Sequence, residues 1–278
     1  AVAIDLGAFT GFTWAFEERE TISDLFELAC GQRFHTSYSR VGGLMYDLPD
    51  EFWPALDGLL ARLPRILGDF ENLLTRNRVF IERTKGIGVM PRDRAISHSF
   101  TGPLARASGI ARDLRKDEPY FAYPELDFKI PVADGCDCYA RYLVRLEEIR
   151  QSMSLLRQIA RRIPPGPVNV PTALGVTLPP KEEVYGSIEG LIYHFELVMS
   201  NRGFKAPIGE CYAANETANG ELGFYLVSAG RPCAYRARCR PPSFLHLAAF
   251  PELIVGHQVS DIVAVLGSLN IIAAELDR

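Results

Sequence analysis

The chain has six cysteines, at positions 30, 136, 138, 211, 233 and 239, but no Cys-x-x-Cys pair. Its tightest pair, Cys136-Asp-Cys138, has one intervening residue, too few for the usual zinc spacing. The cysteines are therefore read as ordinary thiols, without disulfides. The five histidines, at 35, 98, 194, 246 and 257, give no His-x-x-x-His and no His-Glu-x-x-His. Gly86-Ile-Gly88 lacks the rest of a dinucleotide fingerprint, and no Walker-type Gly-x-x-x-x-Gly-Lys occurs. No apolar run approaches the roughly 18–20 residues that a spanning helix needs. Basic residues are not in excess: 30 Lys and Arg stand against 34 Asp and Glu, for a net charge of −4. Such a balance offers no electrostatic footprint for nucleic acid. There is no signal-peptide pattern, no internal repeat and no low-complexity tract. The opening Ala1-Val-Ala-Ile has no Met and is read as the start of a fragment.

What is present is an ordinary globular composition, with 47% hydrophobic and 23% charged residues in 278 positions, enough for one large domain or two smaller ones. Apolar residues at Phe12, Ala15, Phe16, Ile22, Leu25, Phe26 and Ala29 predict a helix over 10–30 with one apolar face, stopped at Gly31. Residues 36–49, with Gly42-Gly43, read as a loop. A second helix is predicted over 50–75, kinked or divided at Pro64, which removes a backbone donor. A short helix is predicted over 91–98. The strongest pattern covers 137–163, where Tyr139, Tyr142, Leu146, Ile149, Met153, Leu156, Ala160 and Ile163 repeat at alternating spacings of three and four. Asp137 is suited to cap its positive end, and Pro164-Pro165-Gly166 ends it. Residues 168–178 read as a loop with a short strand, and 181–201 as one amphipathic helix. Strand patterns at 211–215, 222–228 and 233–240 predict a small antiparallel sheet. A final apolar helix is predicted at 259–266.

Motifs run in order through the whole chain. They include Asp5-Leu-Gly-Ala-Phe-Thr, Gly31-Gln-Arg-Phe-His35, Arg40-Val-Gly-Gly43 and Asp47-Leu-Pro49. Further on come Glu82-Arg-Thr84, Phe100-Thr-Gly-Pro-Leu-Ala-Arg106, Asp137-Cys138-Tyr139-Ala-Arg141-Tyr142, Ser243-Phe-Leu-His246 and the closing Glu275-Leu-Asp277-Arg278. In this order they resemble the D subunit of NADH-quinone oxidoreductase, respiratory complex I, a relative of the large subunit of nickel-iron hydrogenases. The resemblance implies an α+β class, predominantly helical: a hydrogenase large-subunit-like core with a small antiparallel sheet, in a single domain over 1–278 whose N-terminal region lies upstream of Ala1. Four sites depart from the usual family pattern: Gly11 stands for Pro, Tyr46 for Gln, Ala274 for Gly, and Gly135-Cys136 for Arg-Gly.

The resemblance also assigns roles. It implies a peripheral-arm subunit that forms part of a quinone cavity beside the terminal iron–sulfur cluster of a partner. Asp5 is the catalytic candidate, because a carboxylate behind an imidazole sets its tautomer and basicity during quinone reduction. That histidine, and a tyrosine touching the quinone, are expected upstream of Ala1. Asp277 and Arg278 are expected at the cavity, and His35 and Arg40 near the cluster. A histidine in that position holds a proton more tightly when an electron arrives beside it. No cofactor is expected on this chain; quinone is the substrate, and the clusters and FMN belong to partners. A nickel-iron site is not expected, because the last ten residues contain no cysteine to supply its terminal thiolate pair. Expected neighbours are the iron–sulfur subunit and the membrane-arm quinone-site subunit. The expected location is the cytoplasmic side of a bacterial membrane or the mitochondrial matrix side. A sister complex with another electron donor, or a non-catalytic hydrogenase-like scaffold, is the alternative.

Arg106, Arg112, Asp113, Arg115 and Lys116 read by default as a solvated charged loop, and the resemblance implies an ion-pair network instead. On the long helix, Arg145 and Glu148 are at favourable i,i+3 spacing.

Overall fold

In a computed structural model the chain is described over residues 2–171, 175–199 and 202–277, without the side chains of Val2 and Asp5. It opens with α1 (Val2–Asp5), and a three-residue turn leads to α2 (Phe9–Cys30), which ends on Gly31 at φ +72°. A hairpin of β1 (Ser39–Arg40) and β2 (Gly43–Leu44) follows. Gly43 has φ +148°, and a Cβ there would lie 2.2 Å from the Val168 carbonyl oxygen, so only glycine fits this approach.

Next comes α3 (Phe52–Phe70), which runs straight on into a π-helical turn over Glu71–Thr75. Pro64 does not divide the helix, which continues unbroken through it. Proline at 64 leaves the carbonyl of Leu60 without its helical donor, and Arg157 Nη2 supplies one at 2.9 Å. The irregularity sits about two turns later, in the π turn over Glu71–Thr75. Short helices α4 (Arg78–Glu82), α5 (Arg92–Ser97), α6 (Gly102–Ala107) and α7 (Leu114–Asp117) lead to the long α8 (Cys138–Arg162). Asp137 caps α8 as expected, accepting from the Ala140 amide at 2.7 Å.

The helix predicted over 181–201 is two helices, α9 (Lys181–Gly186) and α10 (Ile188–Val198). Ser187 is extended and starts a new helix by accepting from the Gly190 amide at 3.0 Å, so its side chain competes locally with a continuous helix. Residues 172–174 and the end of that predicted helix, 200–201, lie outside the described residues. The sheet is antiparallel in the order β3 (Gly209–Thr217), β4 (Gly220–Ser228), β5 (Arg236–Arg240). The chain closes with α11 (Pro242–Ala248), α12 (Phe250–Ile254) and α13 (Asp261–Leu269). The sequence pattern gives no sign of α11 and α12, which are too short to show a period. Each has a proline within its first two residues, Pro242 in α11 and Pro251 in α12, where its missing N–H costs nothing. The class is mainly helical α+β, as expected.

The two larger apolar centres among the described residues pack most of the helices. One gathers Met90, Phe100, Leu104, Leu253, Val265 and Leu269 beneath α5, α6 and α13. The other joins Leu25 of α2, Leu56, Leu59, Leu60 and Leu67 of α3, and Leu146 and Met153 of α8. Among the described residues no helix is long and apolar enough to cross a membrane.

Candidate functional site

Asp5 on one side, and His35 with Arg40 on the other, flank opposite ends of α2. Asp5 ends α1, which packs on α13 as well as on α2. The asparagine that stops α13, Asn270, is left-handed and begins the tail. Ala3, Ser268 and Asn270 line one common groove, so α1 and the start of the tail share that end of the molecule. The tail is held back against α11: the Ser243 amide donates to Glu275 Oε2 at 3.1 Å, and the Ile272 amide to Ser243 Oγ at 3.3 Å. Asp277 is exposed beyond this anchor. Arg278 and the side chain of Asp5 lie outside the described residues.

His35 and Arg40 lie past the other end of α2, whose 22 residues span about 33 Å along the axis. The structure therefore does not bring them to Asp5. The turn bearing His35 is tied to α2 by Arg33, which reaches Asp24 at 2.5 Å, Glu20 at 2.6 Å and Glu27 at 2.9 Å. His35 has φ +55° and stacks edge-on against Phe34, with the ring centroids 4.4 Å apart. Both His35 and Arg40 are exposed, so their side chains are open to a partner surface.

Between these ends lies a groove of about 460 Å³, walled by α2, α3 and α8. Its surface is apolar except for a few groups, chiefly Glu18, Arg19, Tyr142 and Arg145. Arg145 does not pair with Glu148, contrary to the spacing rule. Its Nη1 donates to the Ser268 carbonyl at 2.8 Å, while its buried Nε and Nη2 have no partner among the described residues. Burial pushes Arg145 down to about 10, and the charge of Glu148 offsets this only in part. One turn earlier, Arg141 is fully buried and donates to Gly88 O at 2.7 Å and Ser268 Oγ at 3.0 Å. Two guanidiniums thus sit at this end of α8 with no carboxylate on either among the described residues.

Glu148 instead belongs to a buried charge network. Arg106, 1% exposed, contacts Glu148 at 2.6 Å and Glu216 at 2.8 Å, with Asp113 at 3.6 Å. Asp113 in turn takes both the Nε and Nη2 bonds of Arg115, at 2.9 and 2.6 Å. This is the network that the resemblance implied, in place of a solvated run; of its neighbours, Arg112 stays exposed. Burial raises Glu216 above the ordinary carboxylate range in spite of Arg106. For Asp113 burial also opposes ionisation, but the hydrogen bonds and charge of Arg115, with that of Arg106, outweigh it and hold the carboxyl below its usual value. The network joins α6, α7 and α8 to the end of β3.

No sequence pattern points to His246 as a site, yet it is fully buried and clamps the same sheet end. Its Nε2 accepts from the Thr101 amide at 3.3 Å, and Thr101 Oγ1 accepts from the Glu221 amide at 3.0 Å. Burial, reinforced by the nearby arginines, pushes His246 down to about 3, so it is neutral at physiological pH. Among the described residues no group of three or more His, Cys, Asp or Glu is placed to hold a metal ion.

A family model described as the respiratory-chain NADH dehydrogenase 49 Kd subunit matches residues 5–278. The chain belongs to this family. Similar members of the 49-kDa family are named as the D subunit of NADH-quinone oxidoreductase. The one from Geotalea uraniireducens is 45% identical over 276 residues, which covers 99% of this chain and 70% of that protein. The one from the Wolbachia of Brugia malayi is also 45% identical with the same coverage. That from Leptospira biflexa is 46% identical over 278 residues, 99% of this chain and 67% of that protein. Membership of the 49-kDa family makes this chain a subunit of an oxidoreductase assembly. Asp5, His35, Arg40 and Asp277 all fall within the span of the match.

Proposed function

We propose that this chain is the subunit of a proton-translocating NADH-quinone oxidoreductase that forms part of the quinone cavity beside a partner's terminal iron–sulfur cluster. The observation that carries the reading is the family match from Asp5 to the end of the chain. Reducing a quinone takes two electrons and two protons. The electrons come from the partner's cluster, and NADH oxidation with its FMN belongs to another subunit. This chain supplies a protein wall and groups that govern protons. Asp5 orients and charges an imidazole on the segment upstream of Ala1, and Asp277 and Arg278 complete the wall at that end of α2. His35 and Arg40 face the cluster-bearing subunit. The membrane-arm quinone-site subunit meets the Asp5 end, on the cytoplasmic or matrix side of the membrane. The open apolar face of α10, with Ile188 74%, Phe195 49% and Val198 60% exposed, suits burial against a neighbouring subunit.

A photoreactive quinone analogue tests the reading in the intact complex. Labelling is expected within residues 1–8 or 271–278 of this subunit and should be competed by ordinary quinone. Competable labelling confined to other subunits contradicts it.

His35→Ala is expected to flatten the pH dependence of the neighbouring cluster's midpoint potential. A reduced cluster is more negative and favours the protonated imidazole, so reduction takes up a proton and the potential falls as pH rises. Removing the imidazole removes that proton. Redox titrations at several pH values measure the slope, and an unchanged slope removes His35 from the role.

A further inference from the structure

The turn between β3 and β4 is the two residues Ala218-Asn219, and hairpin tips of this kind usually stand in solvent. This one is buried, with Asn219 only 3% exposed. The backbone beside it is pressed onto the start of α6. A Cβ on Gly220 would lie 2.4 Å from Thr101 Oγ1, and one on Gly102 would lie 2.5 Å from the Gly220 Cα. The bond from the Glu221 amide to Thr101 Oγ1 and the Arg106–Glu216 pair tie the flanking strands to the helices. The tip is therefore a fixed point of the fold.

From this point Asn219 reaches the residue at which the tail begins, 51 positions along the chain. Its Nδ2 donates to the Asn270 carbonyl at 3.2 Å, and its Oδ1 accepts from Asn270 Nδ2 at 2.5 Å. Local backbone geometry accounts for neither side chain. Asn219 does not have a positive φ, so the turn makes no special demand for asparagine. Asn270 has φ +55°, but glycine would serve that backbone equally well. What asparagine adds at both positions is an amide, with a donor and an acceptor. Because the contact is reciprocal, it fixes direction as well as distance: turning either amide over sets donor against donor or acceptor against acceptor. The pair thus sets the angle at which the chain leaves α13, before Ser243 takes up the tail at Ile272 and Glu275.

We propose that Asn219 is a positioning residue for quinone binding: through Asn270 it aims the tail that carries Asp277 at the cavity. The proposal rests on the reading that places Asp277 and Arg278 at that cavity. Asn219 acts through Asn270 and not by contact with the quinone.

The test uses the complex carrying the full-length subunit with Asn219→Ala, and reads hydrogen exchange and quinone kinetics in one preparation. Amides of residues 271–276 are expected to exchange about tenfold faster, because a donor and an acceptor of Asn270 lose their partners, while amides of α13, β3 and β4 keep the parent rates. The KM for quinone is expected to rise about fivefold with kcat nearly unchanged, the mark of lost uniform binding. Asn270→Gly, which keeps the left-handed backbone, is expected to speed exchange of the same amides in the parent and to add less in the Asn219→Ala background, where the bond it removes is already gone. Unchanged exchange over 271–276, an equal acceleration spread over α13, β3 and β4, or full additivity of the two substitutions overturns the proposal. Faster tail exchange with an unchanged KM shows the clamp but overturns the placing of the tail at the cavity, and with it the role in quinone binding. If the Asn219→Ala complex does not assemble, Asn270→Gly alone decides, and unchanged exchange over 271–276 in that variant overturns the proposal.

Discussion

Arg106→Ala is expected to destabilise the folded subunit by roughly 3–5 kcal/mol, the usual cost of stranding a buried charge. Arg106 is the common partner of Glu148 and Glu216 and lies beside Asp113. Glu216 and Asp113 have side chains only 5% and 0% exposed, so water cannot take the place of the guanidinium. Asp113 keeps Arg115, whereas Glu216 loses its only ion-pair partner among the described residues. At about 2–4 °C per kcal/mol for a chain somewhat shorter than this one, the melting temperature should fall by on the order of 10 °C. The loss should depend on pH with a definite sign. Without Arg106 the buried Glu216 carboxyl moves further above its unfolded value, so folding takes up a proton and the variant's stability falls as pH rises. The deficit should therefore be smaller at pH 5 than at pH 8. Thermal melts at both values decide this, and equal melting temperatures for the variant and the parent would show that the network contributes nothing. Arg106→Lys should give an intermediate loss, since it keeps the charge but not the several donors of the guanidinium.

That network also shows where reading the sequence ends. Arg106 and Glu216 are 110 positions apart, and no local pattern joins them. The spacing rule pointed Glu148 at Arg145, but the fold turns Glu148 to Arg106 and Arg145 to Ser268. Local signals fared better. The period and cap of α8 were legible because Asp137, the apolar seam and the proline stop act within a few residues of one another. The sheet was legible from strands separated by glycine turns. Pro64 misled because the donor that rescues Leu60 comes from Arg157, on another helix. Ser187 was overlooked because a serine inside an amphipathic pattern looks like a polar face until its side chain is seen to cap. On α2 the apolar face was read correctly, and it is covered only in part among the described residues: Leu25 is buried, whereas Phe16, Ile22 and Phe26 stay exposed. Of the candidate residues, His35 in the loop after α2 was legible as such, whereas α1, which carries Asp5, and β1, which carries Arg40, left no readable pattern. The roughly 33 Å length of α2 between the two groups became evident only from the fold.

The second large effect is expected at Asp5. Asp5→Asn should lower quinone reductase activity by about 10- to 100-fold, on the scale of losing the carboxylate that orients a metal-bound imidazole. The amide is nearly isosteric, so the turn from α1 into α2 and the packing of α1 on α13 should survive. On the proposed reading, what is lost is the negative charge that would set the tautomer of an upstream imidazole and support its protonated form. The same reading gives that charge no part in assembly or in reduction of the clusters by NADH.

The decisive comparison is made on the complex purified with full-length Asp5→Asn subunit. Two rates are measured in the same preparation: NADH to quinone, and NADH to an artificial acceptor that takes electrons upstream of the quinone. The quinone rate should fall while the artificial-acceptor rate stays at the parent level. A parallel fall in both rates would make Asp5 a structural residue of the α1 end. An unchanged quinone rate would contradict the placement of the quinone cavity against this end of the chain.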